Sequence, residues 1–178
     1  MNSTRATRGF SAILSTAVAT GALAALAPTG AEAAGATVAA CTSADVAVSY
    51  HARDAAMGHR YGVIKIKNVS DASCRTGGYG GLSYVGDGDG TQIGAAADRT
   101  PAPVHSYVLE PGQSLLSPVA ATVAQNYPKK RCHPAAVDGF RVYIPNETHS
   151  QFVKHPTTGC RNAKVHLLSH KPFRRPMS

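Results

Sequence analysis

The sequence lacks the local signatures of several common catalytic and metal sites. Its 178 residues contain no Gly-x-Ser-x-Gly motif, and residues 81–85 fail that pattern at their last position. The eight histidines show no His-x-His or His-Glu-x-x-His spacing, and the four cysteines include no Cys-x-x-Cys pair. We therefore predict no catalytic residue, no metal site and no cofactor, and we interpret the histidines as surface residues.

Tryptophan is absent, and no segment shows a long helical period, a coiled-coil heptad or an internal repeat. The chain has instead seven tyrosines and many valines, threonines, glycines and prolines, which are typical of strands and turns. Ile64 and Ile66 alternate with Lys65 and Lys67, which is the period of a half-buried strand. We predict an all-β fold, an antiparallel β-sandwich of about seven or eight short strands, with a closed barrel as the alternative.

The first 33 residues have the pattern of a secretory signal peptide. Two arginines precede an uncharged, alanine-rich run at residues 10–27, and Ala31 and Ala33 fit a cleavage site after Ala33. An uncleaved membrane anchor is one alternative. Another is a lipobox at residues 38–41, which would lipidate Cys41 and leave an odd number of cysteines. We expect a secreted protein, in the medium or at the cell wall, with no transmembrane span after cleavage.

Four cysteines in an exported chain predict two disulfides. Of the three possible pairings we favour Cys41–Cys74 and Cys132–Cys160, because each joins neighbouring segments without crossing the other. In the chain-entropy model each bond stabilises the fold by roughly 3.5–4 kcal/mol.

We divide the chain into a signal peptide at 1–33, a flexible segment at 34–40, a β-sandwich domain at 41–170 and a basic C-terminal tail at 171–178.

The pattern of residues 61–90 predicts two strands joined by a cysteine-bearing turn and a glycine-rich bend. The Asp-Gly-Asp-Gly stretch that ends them resembles the start of a calcium loop, but no glutamate follows nearby, so we interpret it as a hairpin turn. We predict loops at 51–58 and 145–159, and a last strand at 163–168.

The order of these landmarks resembles that of a known family. Ser73-Cys74 is followed by Gly78-Tyr79-Gly80-Gly81-Leu82-Ser83 and an Asp-Gly turn, then by Leu109-Glu110-Pro111-Gly112-Gln113-Ser114, Cys132, Ile144-Pro145 and Cys160. This order resembles the secreted actinobacterial family called domain of unknown function 4232, from Cys41 to Leu168. The resemblance implies an immunoglobulin-like sandwich outside the membrane and no assigned chemistry. Arg75-Thr76 and Gly80 stand where members often have Leu-Gly and proline.

Positive charge is the most informative polar feature, because 18 Lys plus Arg against 10 Asp plus Glu give a formal net charge of +8. Lys129, Lys130 and Arg131 lie just before one cysteine of a predicted disulfide, and Arg161 lies just after the other. We predict that these four residues bind anions, and such a surface attracts polyanions over long range. The alternative is a basic surface that only keeps the protein soluble.

These observations predict a non-enzymatic, monomeric module with a binding or structural role at the cell envelope. Its expected partner is an anionic cell-wall polymer or an envelope protein. Nucleic acid is not expected, because the chain shows no aromatic stacking platform. The alternatives are an exported hydrolase with a site in the loops around residues 78–81, near Ser83, and a lipidated envelope protein anchored through Cys41.

Overall fold

The computed structural model describes residues 37–176, so the predicted signal peptide and residues 34–36 lie outside the described residues. The described part contains eleven strands, one short α-helix and one 3₁₀ turn, Ala124–Asn126. They are β1 (Val46–Ala56), β2 (His59–Asn68), β3 (Cys74–Gly77), β4 (Gly81–Gly86), β5 (Thr91–Ile93), β6 (Asp98–Arg99), β7 (Ser106–Leu109), β8 (Ser114–Thr122), α1 (Lys129–Cys132), β9 (Pro134–Tyr143), β10 (Ser150–Cys160) and β11 (Leu168–His170). Eight of these strands have four or more residues, in line with the expected number.

Two main sheets face each other across the core. One has the order β1-β2-β8-β11-β6 and the other β10-β9-β4-β5, while β3 and β7 form a separate pair. All pairings are antiparallel except that of β11 with β6. The rings of Tyr50 and Phe140, one from each sheet, lie with centroids 5.1 Å apart. The predicted antiparallel sandwich is therefore confirmed, and the two sheets do not close into a barrel.

The alternation in β2 is the sequence pattern that the fold uses most directly. Ile64 and Ile66 are 2% and 0% exposed and face the core, while Lys65 is half-buried and Lys67 exposed on the other face. Full burial of an isoleucine side chain stabilises a fold by about 1.5–3 kcal/mol. Because the side-chain period of a strand is two, a one-residue slip against β1 or β8 would exchange these faces.

Two predicted loops are strands. Residues 51–56 continue β1 as a hairpin with β2, and most of residues 145–159 belongs to β10, which pairs with β9. Each strand lies at the edge of its sheet and contains a register shift, at Ala52/Asp54 in β1 and at Lys154/Thr157 in β10. Pro156 lies within the second shift, where an edge strand tolerates proline. The shifts and the proline hide the period of two, so the loop predictions were wrong.

The C-terminal part also differs from expectation. The last strand begins at Leu168 instead of residue 163, although Val165 and Leu167 are buried as predicted. The segment predicted as a basic tail packs on the domain through Phe173, which is 3% exposed and donates its N–H to the Gly78 carbonyl at 2.8 Å. Arg174 exchanges two backbone hydrogen bonds with Leu116.

Both predicted disulfides are present. Cys41 bonds to Cys74 with a Cα–Cα distance of 4.8 Å, and Cys132 bonds to Cys160 with a distance of 4.6 Å. The first bond occupies the Cys41 sulfur atom that lipidation would require. The two bonds lie at opposite ends of the sandwich, because the Cys41 end is near the last residue of β2 and the Cys132 end is near its first.

Candidate functional site: a basic groove at one end of the sandwich

Three of the four predicted cations lie on α1, which is held in place at the Cys132–Cys160 end. The helix has one turn and ends at Cys132, and the next residue, His133, has a left-handed φ of 50°. Arg161 donates its backbone N–H to the His133 carbonyl at 3.0 Å, and the Asn162 side chain donates to the Arg131 carbonyl at 2.8 Å. The disulfide and these hydrogen bonds fix the backbone that carries Lys129, Lys130 and Arg131.

The side chain of Arg161 points to a different partner. Its guanidinium forms two hydrogen bonds with the Asp87 carboxylate, at 2.9 and 2.6 Å. This contact lowers the pKa of Asp87 and raises that of Arg161. Paired guanidinium and carboxylate groups leave little net charge for a ligand. The backbone of Arg161 therefore lies beside α1, as predicted. The guanidinium group of Arg161, however, is paired with a carboxylate of the β4–β5 hairpin.

Among the described residues, the cations of α1 have no carboxylate partner. Ion pairs in the described range 37–176 join His149 to Glu147, Arg161 to Asp87 and His166 to Asp98. Lys129, Lys130 and Arg131 are exposed and absent from these pairs. Arg131 lies over the ring of Tyr127, 5.8 Å from its centroid.

A groove leads from α1 between the two sheets. It consists of three adjoining cavities of about 200, 250 and 450 Å³. The first and second share Ala124, Gln125 and Thr158, and the second and third share Arg60. We call this feature the end groove, and its charged and aromatic lining residues are Tyr127, Lys129, Arg60, Tyr84, Tyr50, His155, Arg53, Asp54 and Tyr61.

The edge strands β1 and β10 are crosslinked by hydrogen bonds at the Cys41 end of the sandwich, away from the groove. At the Cys41 end the Gln151 side chain accepts the Val48 N–H at 3.2 Å and donates to the Ser43 and Val46 carbonyls at 2.7 and 2.6 Å. The register shifts of both strands begin beyond this crosslink. Bulges bend the strand that carries them, and they often lie beside functional sites.

Aromatic rings form the floor of the groove. The His155 ring stacks on Phe140 with centroids 4.9 Å apart and lies 4.6 Å from Tyr50. Burial lowers the pKa of His155, and the nearby Arg60 lowers it further, so the imidazole is neutral at pH 7. Burial also raises the pKa of Tyr50 and Tyr84, so both phenols keep their protons.

The formal charges of the groove are therefore Lys129, Arg60 and Arg53 against Asp54. The Asp54 carboxylate already accepts the Ala55 N–H at 2.7 Å. None of the three cations has a carboxylate partner within ion-pair distance among residues 37–176. Arginine and lysine with adjacent aromatic rings are suited to binding anionic groups of an extended ligand.

Other site chemistries fit the described residues less well. No group of three or more His, Cys, Asp or Glu within 37–176 is placed to hold a metal ion. In the Asp-Gly-Asp-Gly turn, Asp87 binds Arg161 and Asp89 accepts the Thr91 N–H at 2.8 Å. Ser83 is 5% exposed, and a nucleophile must reach its substrate.

Sequence reasoning found the three cations that α1 carries but missed the rest of the groove. Arg53 and His155 lie in segments predicted as loops, and Arg60 lies near the start of β2, where no catalytic or binding motif marks it. The prediction that the histidines lie at the surface is wrong for His170, which is 4% exposed, and His59 and His155 are half-buried. The pairing of two edge strands across the sandwich leaves no local signal.

A family model described as Domain of unknown function (DUF4232) matches residues 41–174. The chain belongs to this family. The DUF4232 match includes both disulfides, the whole end groove, and the C-terminal segment through Arg174. No curated protein and no solved structure matches the chain. Within the described residues of this DUF4232 domain, no helix has the length and hydropathy needed to cross a membrane.

Proposed function

We propose that this domain is a non-enzymatic module of the cell envelope that holds an extended anionic polymer in the end groove. The observation that carries the proposal is that three neighbouring cavities share lining residues, with Lys129, Arg60 and Arg53 spread over them. Lys130 and Arg131 flank the α1 end of the groove. A linear polymer contacts all these cations at once, whereas a small anion contacts one.

The ligand class follows from the lining. Guanidinium and ammonium groups bind phosphate or carboxylate oxygens, and the rings of Tyr50 and Tyr127 pack against the carbon atoms between the anionic groups. Exposed cations interact with an anionic surface by about 1 kcal/mol each, and added salt screens them. Binding of this kind is moderate in affinity and sensitive to salt.

Titration with a linear glycerol-phosphate polymer at low and high salt tests the proposal. We expect the double substitution Arg60→Gln/Lys129→Gln to weaken binding by roughly twentyfold to thirtyfold at low salt, from about 1 kcal/mol per cation. Lys67→Gln/Lys171→Gln is the matched control, because it removes the same charge from exposed positions outside the groove. Equal weakening by both pairs, or binding that ignores salt, contradicts the proposal.

A further inference from the structure

A further cavity, separate from the three cavities of the end groove, lies on the outer face of the four-stranded sheet. Its volume is about 280 Å³, and it is bounded by Phe152 of β10, Asp138 and Arg141 of β9, Ser150, and the β4–β5 hairpin. Arg141 and Phe152 are opposite each other in the β9–β10 register, so both side chains emerge on the same face of the sheet.

The hairpin wall of this cavity is fixed by charged side chains. Asp138 accepts the Gly88 N–H at 2.9 Å, and Arg141 donates to the Gly90 carbonyl. The guanidinium group of Arg161 donates two hydrogen bonds to the carboxylate of Asp87, which belongs to the same hairpin. The bonds of Asp138 and Arg141 use one carboxylate oxygen and one guanidinium nitrogen, and both residues line the cavity with capacity for further hydrogen bonds.

Phe152 forms the opposite wall. It is 59% exposed, although burial of a phenylalanine stabilises a fold. Its ring lies over Gly139, where an added Cβ would be 2.7 Å from the Cε2 atom of Phe152. Gly139 therefore allows the ring to rest on the backbone of β9, and this position holds an aromatic surface beside the polar groups.

The charges in this cavity balance. One carboxylate and one guanidinium line it, whereas the end groove has three cations and one carboxylate. A balanced pair with an adjacent hydroxyl and aromatic ring fits a neutral ligand that has both an apolar face and many hydroxyl groups. A pyranose ring has this combination.

We propose that this cavity binds one pyranose ring of a neutral glycan. The ring stacks on Phe152 through its C–H face, and its hydroxyl groups bond to Asp138, Arg141 and Ser150. The volume suits a single ring, so the other sugars of the glycan extend into solvent. This site is independent of the polyanion proposed for the end groove, and the two proposals can fail separately.

Amide chemical-shift titration of the domain with neutral methyl pyranosides tests the inference, using the gluco, galacto, manno and N-acetylglucosamine configurations. We expect at least one sugar to shift the amide signals of Gly88, Gly90 and Phe152, with a dissociation constant of about 1–10 mM for a ligand of this size. Phe152→Ala should weaken that binding by about tenfold or more, and Phe152→Tyr should restore it.

Met57→Ala is the matched control, since Met57 is 97% exposed on a different hairpin and its loss should leave the dissociation constant unchanged. The inference is overturned if none of the four sugars shifts these amides, or if Phe152→Ala binds as tightly as the parent. It is also overturned if the glycerol-phosphate polymer shifts these amides more strongly than the sugars do.

Discussion

The two disulfide-bonded ends of the sandwich use their polar residues in opposite ways. At the Cys41–Cys74 end, Asn68 is fully buried, and its amide donates to the Ala72 and Leu109 carbonyls at 2.8 and 2.9 Å. Its oxygen accepts both the backbone N–H and the hydroxyl of Ser70. At the Cys132–Cys160 end, Lys129 and Arg60 face the groove without a carboxylate partner among residues 37–176.

This difference shows that one kind of crosslink has two consequences. The Cys41–Cys74 bond closes an end where the buried Asn68 side chain is fully hydrogen-bonded. The Cys132–Cys160 bond fixes a loop whose charges are left for a partner. Stability and ligand binding should therefore respond differently at the two ends.

Removing each disulfide should give the largest effect. The loops span 33 and 28 residues, so Cys41→Ala/Cys74→Ala and Cys132→Ala/Cys160→Ala should each lower the free energy of unfolding by about 3.5–4 kcal/mol. Polymer affinity should fall for the second pair only, because α1 then loses its tether. Urea unfolding and polymer titration at a temperature where both variants are folded measure the two quantities. An equal loss of affinity in both variants would remove the distinction between the ends.

Asn68→Ala should have the next largest effect on stability. It removes the four hydrogen bonds of the buried Asn68 side chain, to Ala72, Leu109 and Ser70, which costs about 3 kcal/mol in total. Asn126→Ala is the control at the other end, because the exposed Asn126 side chain donates one bond to the Gly58 carbonyl and its loss should cost less than about 1 kcal/mol. Thermal unfolding of both variants checks the order, and a cost at Asn126 equal to that at Asn68 would contradict it.

Glu147 should give a smaller effect that depends on pH. Its carboxylate accepts N–H groups of Thr148, His149 and Ser43, and these bonds lower its pKa from 4.5 to about 2. A lowered carboxyl pKa stabilises the fold above pH 4.5, and the stabilisation is lost as pH falls through about 2.

The stability difference between the parent and Glu147→Gln should therefore be largest above pH 4.5 and disappear near pH 2. Denaturant unfolding across this range measures it. Glu110→Gln, at an exposed glutamate of the same end, is the control, whereas Glu147 is half-buried. A difference that stays constant with pH would show that the carboxylate charge does not contribute.

The sequence was sufficient for features that depend on local chemistry. The alternation of Ile64 and Ile66 predicted β2, and both disulfides were paired correctly. The predicted glycine-rich bend is also present, and it has a steric cause. A Cβ at Gly77 would collide with the His105 carbonyl, and its φ of 154° is one that other residues rarely adopt.

The rest depends on contacts between distant segments. The end groove lies beside the register shifts of β1 and β10, and neither strand has an unbroken period of two in this region. The sequence predicted Arg161 as part of the anion site, because Asp87, its partner on the β4–β5 hairpin, is 74 positions away in the chain. Phe152 could not be assigned to an open face, because β10 was predicted as a loop.

The most direct test of the binding account is to map where the anionic polymer contacts the domain. Amide chemical-shift perturbation by the glycerol-phosphate polymer at low salt should centre on Arg53, Arg60, Lys129 and His155, and high salt should remove it. The signals of Asn68 and Cys74 at the opposite end should not move. Perturbation spread evenly over all exposed lysines and arginines, or centred outside the end groove, would contradict the account.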